Sequence, residues 1–312
     1  MVLKGLSSGL PADKDVLDSL NTCTTCGICT ENCPAGVNPP DLIENARREL
    51  VSAGRMTREQ ADLSKKVFES GNTFGDPRDR LSWLQDRTIL KEKAEYVYFV
   101  GCMNSYRNTE TAARTFALLS RFGATLLPAE QCCGSPLLRT GFDARRFVDE
   151  NSRQIEEIEA RTVITGCAGC YTTLKKNYGR QFQVVSVSQF LAEHISELNI
   201  KPLDLTVTYH DPCHLGRHNE IYEQPRRVIE AVCRLKEMKT SGKAARCCGG
   251  GGGVRAGYRD LSLQMARRRL QDVPGGVDCI VTSCPLCIRN LRDAGAGVRV
   301  IDLVDLVAKA VQ

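Results

Sequence analysis

Five cysteines recur twice in the same order and at nearly the same spacing, and few folds can satisfy that pattern. A lone cysteine opens each unit, an adjacent pair follows, and a Cys-x2-Cys closes it. The first unit holds Cys102, Cys132, Cys133, Cys167 and Cys170; the second holds Cys213, Cys247, Cys248, Cys284 and Cys287. Between the lone cysteine and the pair lie 29 residues in one unit and 33 in the other, and from pair to closing motif 33 and 35. Past the pairs, "LLRTG" answers "GVRAG", which sets Arg139 opposite Arg255 and Gly141 opposite Gly257. A duplication this regular predicts two like domains related by a pseudo-twofold axis.

The residues between the cysteines predict how each domain is built. "YVYFVGC", "TVITGC", "FQVVSV", "LTVTYHDPC", "CIVTSC" and "VRVIDL" are short apolar, β-branched runs that read as buried strands. Amphipathic stretches such as "TAARTFALLSRFG", "QPRRVIEAV" and "YRDLSLQMARRRLQ" lie between them. Alternation of this kind predicts an α/β fold with mostly parallel sheets. In each unit the lone cysteine and the Cys-x2-Cys sit just past a strand's carboxyl end, the edge where open α/β sheets place ligands. Five thiols therefore converge on one rim per domain.

A third block precedes the duplication. "CTTCGICTENCP" presents Cys23, Cys26, Cys29 and Cys33 followed by Pro34, the C-x2-C-x2-C-x3-C-P run of bacterial ferredoxins, which holds a 4Fe–4S cluster. Zinc is the competing ligand, but its usual spacing is two separated pairs. The boundaries expected are a ferredoxin-type segment over 15–60, a helical connector over 61–93, and duplicated domains over 94–200 and 201–312.

Sixteen cysteines among 312 residues exceed what packing needs. The N-terminus carries no apolar run of signal-peptide length and no stretch approaches a membrane span, so the expected location is cytoplasmic, free or peripheral to a membrane complex. In a reducing compartment, clustered thiols point to metal or redox chemistry rather than disulfides. The formal charge of +5 gives no case for nucleic acid, because iron-bound thiolates add negative charge and the basic residues alternate with acids. "IENARREL" and "QIEEIEAR" read as solvated faces. Cys233 and Cys279, outside the three blocks, read as packing cysteines.

On these motifs the chain resembles the cysteine-rich CCG domain family of heterodisulfide reductase B and D subunits. Relatives of that family include iron–sulfur subunits of glycolate oxidase, anaerobic glycerol-3-phosphate dehydrogenase and lactate-utilisation complexes. "GNTFGDPRDRLSWL" and "YHDPCHLGRHNEIYEQPR" also resemble D-type segments, so the resemblance runs from about residue 20 onward. It implies that each complete five-cysteine set holds a non-cubane 4Fe–4S cluster, beside one 4Fe–4S cubane on the first block. It implies electron transfer between the cubane and the non-cubane sites that reduce or form a disulfide, with Cys213, Cys247 and Cys248 at the reaction centre. The alternative is a relay joining a flavin dehydrogenase partner to a quinone or ferredoxin pool. No flavin or nucleotide fingerprint occurs, so a flavoprotein or further iron–sulfur subunits are the expected partners.

Several residues are candidates for supporting roles. Gly134, Gly249 and Gly250 follow the cysteine pairs, and the run "CCGGGGG" strips Cβ atoms so that backbone amides can approach cluster sulfides. Arg139 and Arg255 would neutralise cluster charge or bind a carboxylate substrate, and their matching places in both units favour the first. His210, His214 and His218 gather around Cys213; His214 is the candidate proton source, but a structural role is the favoured reading of this cluster. D-type relatives usually carry two ferredoxin motifs and this chain carries one. The fourth cubane ligand is therefore Cys33 or comes from a partner, and the intact run favours Cys33.

Overall fold

The short β-branched runs form strands, and those at the centre of each sheet are buried almost throughout. The computed structural model describes residues 13–179 and 181–311, together with 5, 6, 8, 9 and 11. In the first unit β1 (Tyr96–Phe99), β2 (Thr125–Leu126), β3 (Thr162–Thr165) and β4 (Gln183–Ser186) form one sheet in the order β2-β1-β3-β4. In the second, β5 (Thr206–Tyr209), β6 (Arg234–Leu235), β7 (Cys279–Thr282) and β8 (Arg299–Asp302) repeat it as β6-β5-β7-β8. Every pairing is parallel. Continuous apolar runs suit such strands, since helices cover both faces. The molecule is α/β, as expected, and all six anticipated strands are present. β2 and β6 were not anticipated; two residues at a sheet edge carry no periodic signal.

The order places the rim chemistry. Chain leaves β1 toward β2 on one side, and leaves β3 toward β4 on the other. The carboxyl ends of β1 and β3 thus flank a topological switch point, as do those of β5 and β7, and a crevice opens there. Cys102 and Cys167 follow β1 and β3, while Cys213 and Cys284 follow β5 and β7.

A layer of four helices joins the sheets. Val187–His194 of the first unit packs on Glu223–Val232 of the second, and Leu303–Ala310 of the second packs on Thr109–Ser120 of the first. One buried core, including Phe116, Leu119, Leu191, Val228, Val232 and Leu306, belongs to both units. Asp305 fastens the crossing by accepting from Thr111 Oγ1 at 2.9 Å and Arg114 Nη1 at 2.8 Å. The helices that follow β4 and β8 start at equivalent caps. Ser186 forms a capping box with Gln189, and Asp302 accepts from the Val304 amide.

Before the first sheet lie the helices Lys14–Asn21, Pro39–Ser52 and Arg58–Ser70. They lie across the loops that carry the cysteine pairs: Pro39–Ser52 and Arg58–Ser70 pack on Ser135–Thr140, and Arg58–Ser70 also on Val254–Gly257.

Candidate iron–sulfur site

Each cysteine pair ends in a turn that only glycine tolerates easily. Gly134 and Gly249 follow the pairs with φ of +86° and +82°, the left-handed region where a Cβ is strained. A Cβ on Gly249 would also overlap the Ser262 carbonyl. Buried side chains then fix the carbonyls of the pairs. Asn151 donates to the Cys132 carbonyl at 3.3 Å and Tyr178 to that of Cys133 at 3.2 Å. In the second unit Asn290 donates to the Cys248 carbonyl at 2.5 Å and Ser262 to that of Gly249 at 2.9 Å. These four residues were not anticipated, because a lone Asn or Ser within a helical pattern carries no signal of its target.

The two rims face one another across a single cavity of about 360 Å³. All five cysteines of the first set line it, with Cys213, Cys248, Cys284 and Cys287 of the second. Cys247 lies behind, where it meets Cys26 of the first block. All are free thiols. They form an unbroken run of contacts: Cys26 with Cys247, Cys247 with Cys213 and Cys248, Cys248 with Cys287. The run continues through Cys284, Cys167, Cys170, Cys133 and Cys132 to Cys102. The Cys248 and Cys287 sulfurs are 3.2 Å apart. Hydrogen bonds from Cys132 and Cys170 pull the buried Cys133 thiol down to about 6. Cys248 is likewise held low by Cys247 and Cys287, and Cys284 by Cys167 and Cys287. Thiolates stabilised by hydrogen bonds from neighbouring thiols are a donor set suited to soft metal.

The surroundings are cationic. Arg139, Arg255, Arg259 and Arg289 line the cavity, and among the described residues no carboxylate does. Arg139 is braced by Ser135 at 2.8 Å, and Arg255 by Asn290 and Asp293. In the first unit Arg80 donates to Cys102 Sγ at 3.5 Å and pairs with buried Glu130 at 2.9 Å. Glu130 also accepts from the Val100 and Gly101 amides, yet burial outweighs Arg80 and pushes its carboxyl up to about 7.

The ferredoxin-type loop docks on the second unit. Thr25 and Gly27 take left-handed conformations, with φ of +51° and +76°, and the carbonyls they turn outward are caught from below. Arg217 donates to the Cys26 carbonyl at 2.7 Å, and His218 Nε2 lies 2.8 Å from that of Thr25. Gly251 and Gly252 press on the same loop: a Cβ on Gly251 would sit 2.8 Å from the Thr24 carbonyl, and one on Gly252 would overlap that of Cys23. Two of the five glycines therefore make room for the neighbouring loop, a reason distinct from the one expected. Beside the pair the expectation holds: the Gly249 amide donates to Cys247 Sγ at 3.3 Å, and Gly250, whose Cβ would lie 3.6 Å from Cys248 Sγ, opens space beside the other sulfur. Cys29 is exposed, while Cys23, Cys26 and Cys33 are partly covered.

Arg47 ties the three parts together, which corrects the reading of "IENARREL" as a solvated face. Its guanidinium is fully buried and donates to the carbonyls of Leu20 (2.6 Å), Cys23 (2.7 Å), Arg139 (2.6 Å) and Gly252 (2.9 Å). Burial lowers its pKa. Acids and bases around it in the sequence hide a cation that faces inward. Arg269 of "ARRRLQ" is a second case, buried against Asp272 and His210.

The histidines are held neutral. Burial, with Arg269 nearby, pushes His210 down to about 3; burial and Arg139 take His218 to about 4 and His214 well below its ordinary range. His214 Nδ1 lies 3.1 Å from Cys213 Sγ, its ring tilted against His218. The Nε2 atoms of His210 and His214 are buried without partners. Orphaned polar atoms beside converged thiols are what a bound iron–sulfur group would satisfy, so the residues present fit one. Cys233 and Cys279 lie in the core shared by the units, as expected of packing cysteines.

Parallel sheets duplicated around facing thiol sets, with a ferredoxin-type loop on one of them, define an iron–sulfur electron carrier. A family model for the cysteine-rich CCG domain matches residues 96–175 and 207–292. The D subunit of dihydromethanophenazine:CoB–CoM heterodisulfide reductase from Methanosarcina barkeri is 37% identical, over 94% of this chain and 78% of its own. The B subunit of fumarate reductase (CoM/CoB) from Methanothermobacter marburgensis is 33% identical over 95% and 62%. An EtfAB:quinone oxidoreductase from Syntrophomonas wolfei is 28% identical over 93% and 46%. A solved hypothetical protein from Helicobacter pylori shares the fold, with TM-score 0.60 at 11% identity, covering 99% of this chain and 66% of that one. The chain belongs to the CCG family, as an iron–sulfur redox subunit of the heterodisulfide reductase D type. None of its described helices is long and apolar enough to cross a membrane.

Proposed function

We propose that the chain carries electrons between a 4Fe–4S cubane on its first four cysteines and a disulfide bound in the cavity between the five-cysteine sets. The observation that carries this reading is the unbroken run of thiols from Cys26 through the second set into the first. When bound, iron–sulfur clusters supply one-electron acceptance and donation at each set, a cubane at Cys23, Cys26, Cys29 and Cys33 and non-cubane 4Fe–4S clusters at the two fives. Cys33 closes the cubane. Reducing a disulfide breaks one S–S bond and takes up two electrons and two protons, giving two thiols. Two sets facing one cavity match that two-electron demand. Arg139, Arg255, Arg259 and Arg289 hold anionic ends of such a substrate, and the volume falls within the range of about 300–1,000 Å³ typical of small-ligand sites. Because the buried histidines stay neutral, His214 acts as a hydrogen-bonding partner of Cys213, and protons enter from solvent. Flavoprotein or further iron–sulfur subunits deliver the electrons at exposed Cys29.

A second reading is favoured by the relative whose name records a quinone as acceptor: the chain relays electrons from a flavin dehydrogenase to a quinone or ferredoxin pool. Cys248→Ser separates the two. In iron-loaded protein the substitution should abolish reduction of a small dicarboxylate disulfide and leave the cubane electron paramagnetic resonance signal intact, since a serine oxygen is a harder, poorer ligand for iron than a thiolate. Disulfide reduction at the wild-type rate would overturn the assignment. A wild-type chain that reduces a quinone analogue but no disulfide would establish the relay.

A further inference from the structure

We infer that His210 donates its Nε2–H to the sulfur of Cys248 or Cys287 in the iron-bound second set, and so raises that set's reduction potential. The inference rests on the second set binding iron, as proposed above.

The tautomer follows from the neighbour. Arg269 Nε lies 3.0 Å from His210 Nδ1, and a guanidinium only donates, so Nδ1 must accept and the ring proton sits on Nε2. That Nε2 is buried and has no partner, while a ring nitrogen of His210 and the sulfurs of Cys248 and Cys287 all lie within 4.8 Å of one another. An orphaned N–H beside two sulfurs is a donor without an acceptor until the thiols become iron-bound thiolates. The same argument excludes His210 as a ligand, since the nitrogen on that side carries a proton. Arg269 is itself fixed by the Thr240 carbonyl at 2.7 Å and Asp272 at 3.0 Å, so the ring cannot turn without breaking a buried network.

The first unit lacks this donor. Tyr98 and Tyr209 occupy matching strand positions, and the next residue, beside Thr165 in one unit and Thr282 in the other, is Phe99 in the first and His210 in the second. Phe99 packs with Cys133 and Cys170 and offers them no N–H. A hydrogen bond to a cluster sulfur stabilises the more negative, reduced state and raises the potential. His210 is a positioning residue that acts on the sulfurs, not on substrate.

The test is a redox titration of the full, iron-loaded chain, followed by electron paramagnetic resonance. His210→Phe reproduces the first unit. It should lower the reduced-to-oxidised ratio of the second set about tenfold at fixed poise, about 59 mV for one electron, with the first set and the cubane unmoved. An unchanged second-set potential overturns the proposal. If His210→Phe fails to load iron, His210→Gln keeps an N–H and should load and stay near the wild-type potential; loss of second-set iron in both variants overturns it. Because His214 also lies beside a sulfur of this set, protein carrying 15N-histidine is compared with its His210→Gln variant. A weak nitrogen coupling to the second set that the substitution removes supports donation, whereas a coupling it leaves unchanged, or the strong coupling of a bonded nitrogen, overturns it. Wild-type protein without second-set iron would instead remove the reading on which the inference rests.

Discussion

In the first unit, Cys102 is faced by Arg80, whose charge is matched by buried Glu130; in the second, the same rim is covered by the ferredoxin-type loop, held by Arg217 and His218. The strand order is identical. Sheet topology cannot drift after a duplication, because each strand is locked by neighbours on both faces. A rim residue answers only to whatever lies against it, and the two rims have different neighbours. One set is served by an ion pair of its own and the other by a third segment of chain, so like ligands sit in unlike fields.

Substitutions at these points of difference put the comparison under strain. The largest effect is expected at Arg47, where all three parts meet. Arg47→Met leaves the carbonyls of Cys23, Arg139 and Gly252 without a donor and removes one of the donors to that of Leu20. Urea unfolding should show a loss of about 3–5 kcal/mol, with the cubane signal weakened before those of either five-cysteine set. If all three signals fall together, the loop is no more dependent on Arg47 than the sheets are.

Gly252→Ala aims at the second rim alone. Its φ is +60° and the added Cβ overlaps the Cys23 carbonyl. The expected loss is about 2–3 kcal/mol, read by thermal unfolding, with faster alkylation of Cys26. A variant whose Cys26 stays as protected as in the wild type would mean the loop does not need that close approach.

The smallest effect is a gain. Asp302 caps the last helix where the first unit uses Ser186, but its Oδ2 is buried without a partner and burial raises its pKa to about 8. Unfolded, this carboxyl ionises near 3.8; folded, it keeps its proton to about 8. The native state therefore binds more protons through that window, and stability falls as pH rises from about 4 to 8. Asp302→Ser keeps a capping oxygen and removes the burden. It should raise stability at pH 8 and change it by almost nothing at pH 4. Equal gains at both pH values would show that ionisation is not the cause.

The strands and thiol rims were legible because they rest on local patterns: β-branched runs, fixed cysteine spacing, and a ligand edge set by strand direction. The residues that join parts were not. Arg47 lies among Glu44, Asn45, Arg48 and Glu49, and nothing in that stretch tells which cation turns inward, since its acceptors are carbonyls as far as 205 residues away. The five glycines were read by their nearest cysteines, whereas Gly251 and Gly252 answer to Thr24 and Cys23. Phe99 and His210 became comparable only once strand register aligned them.

The helical layer between the sheets carries a consequence for ancestry. The last helix of each unit packs on the first long helix of the other, which is a self-complementary arrangement: each unit offers the same two patches, and each patch meets its complement on the other unit. A single unit on its own would present both patches to water, and a second copy of itself would cover them by a twofold rotation. The fused chain is then a symmetric dimer whose partners were joined end to end, and the linkage removed the requirement that both halves stay the same.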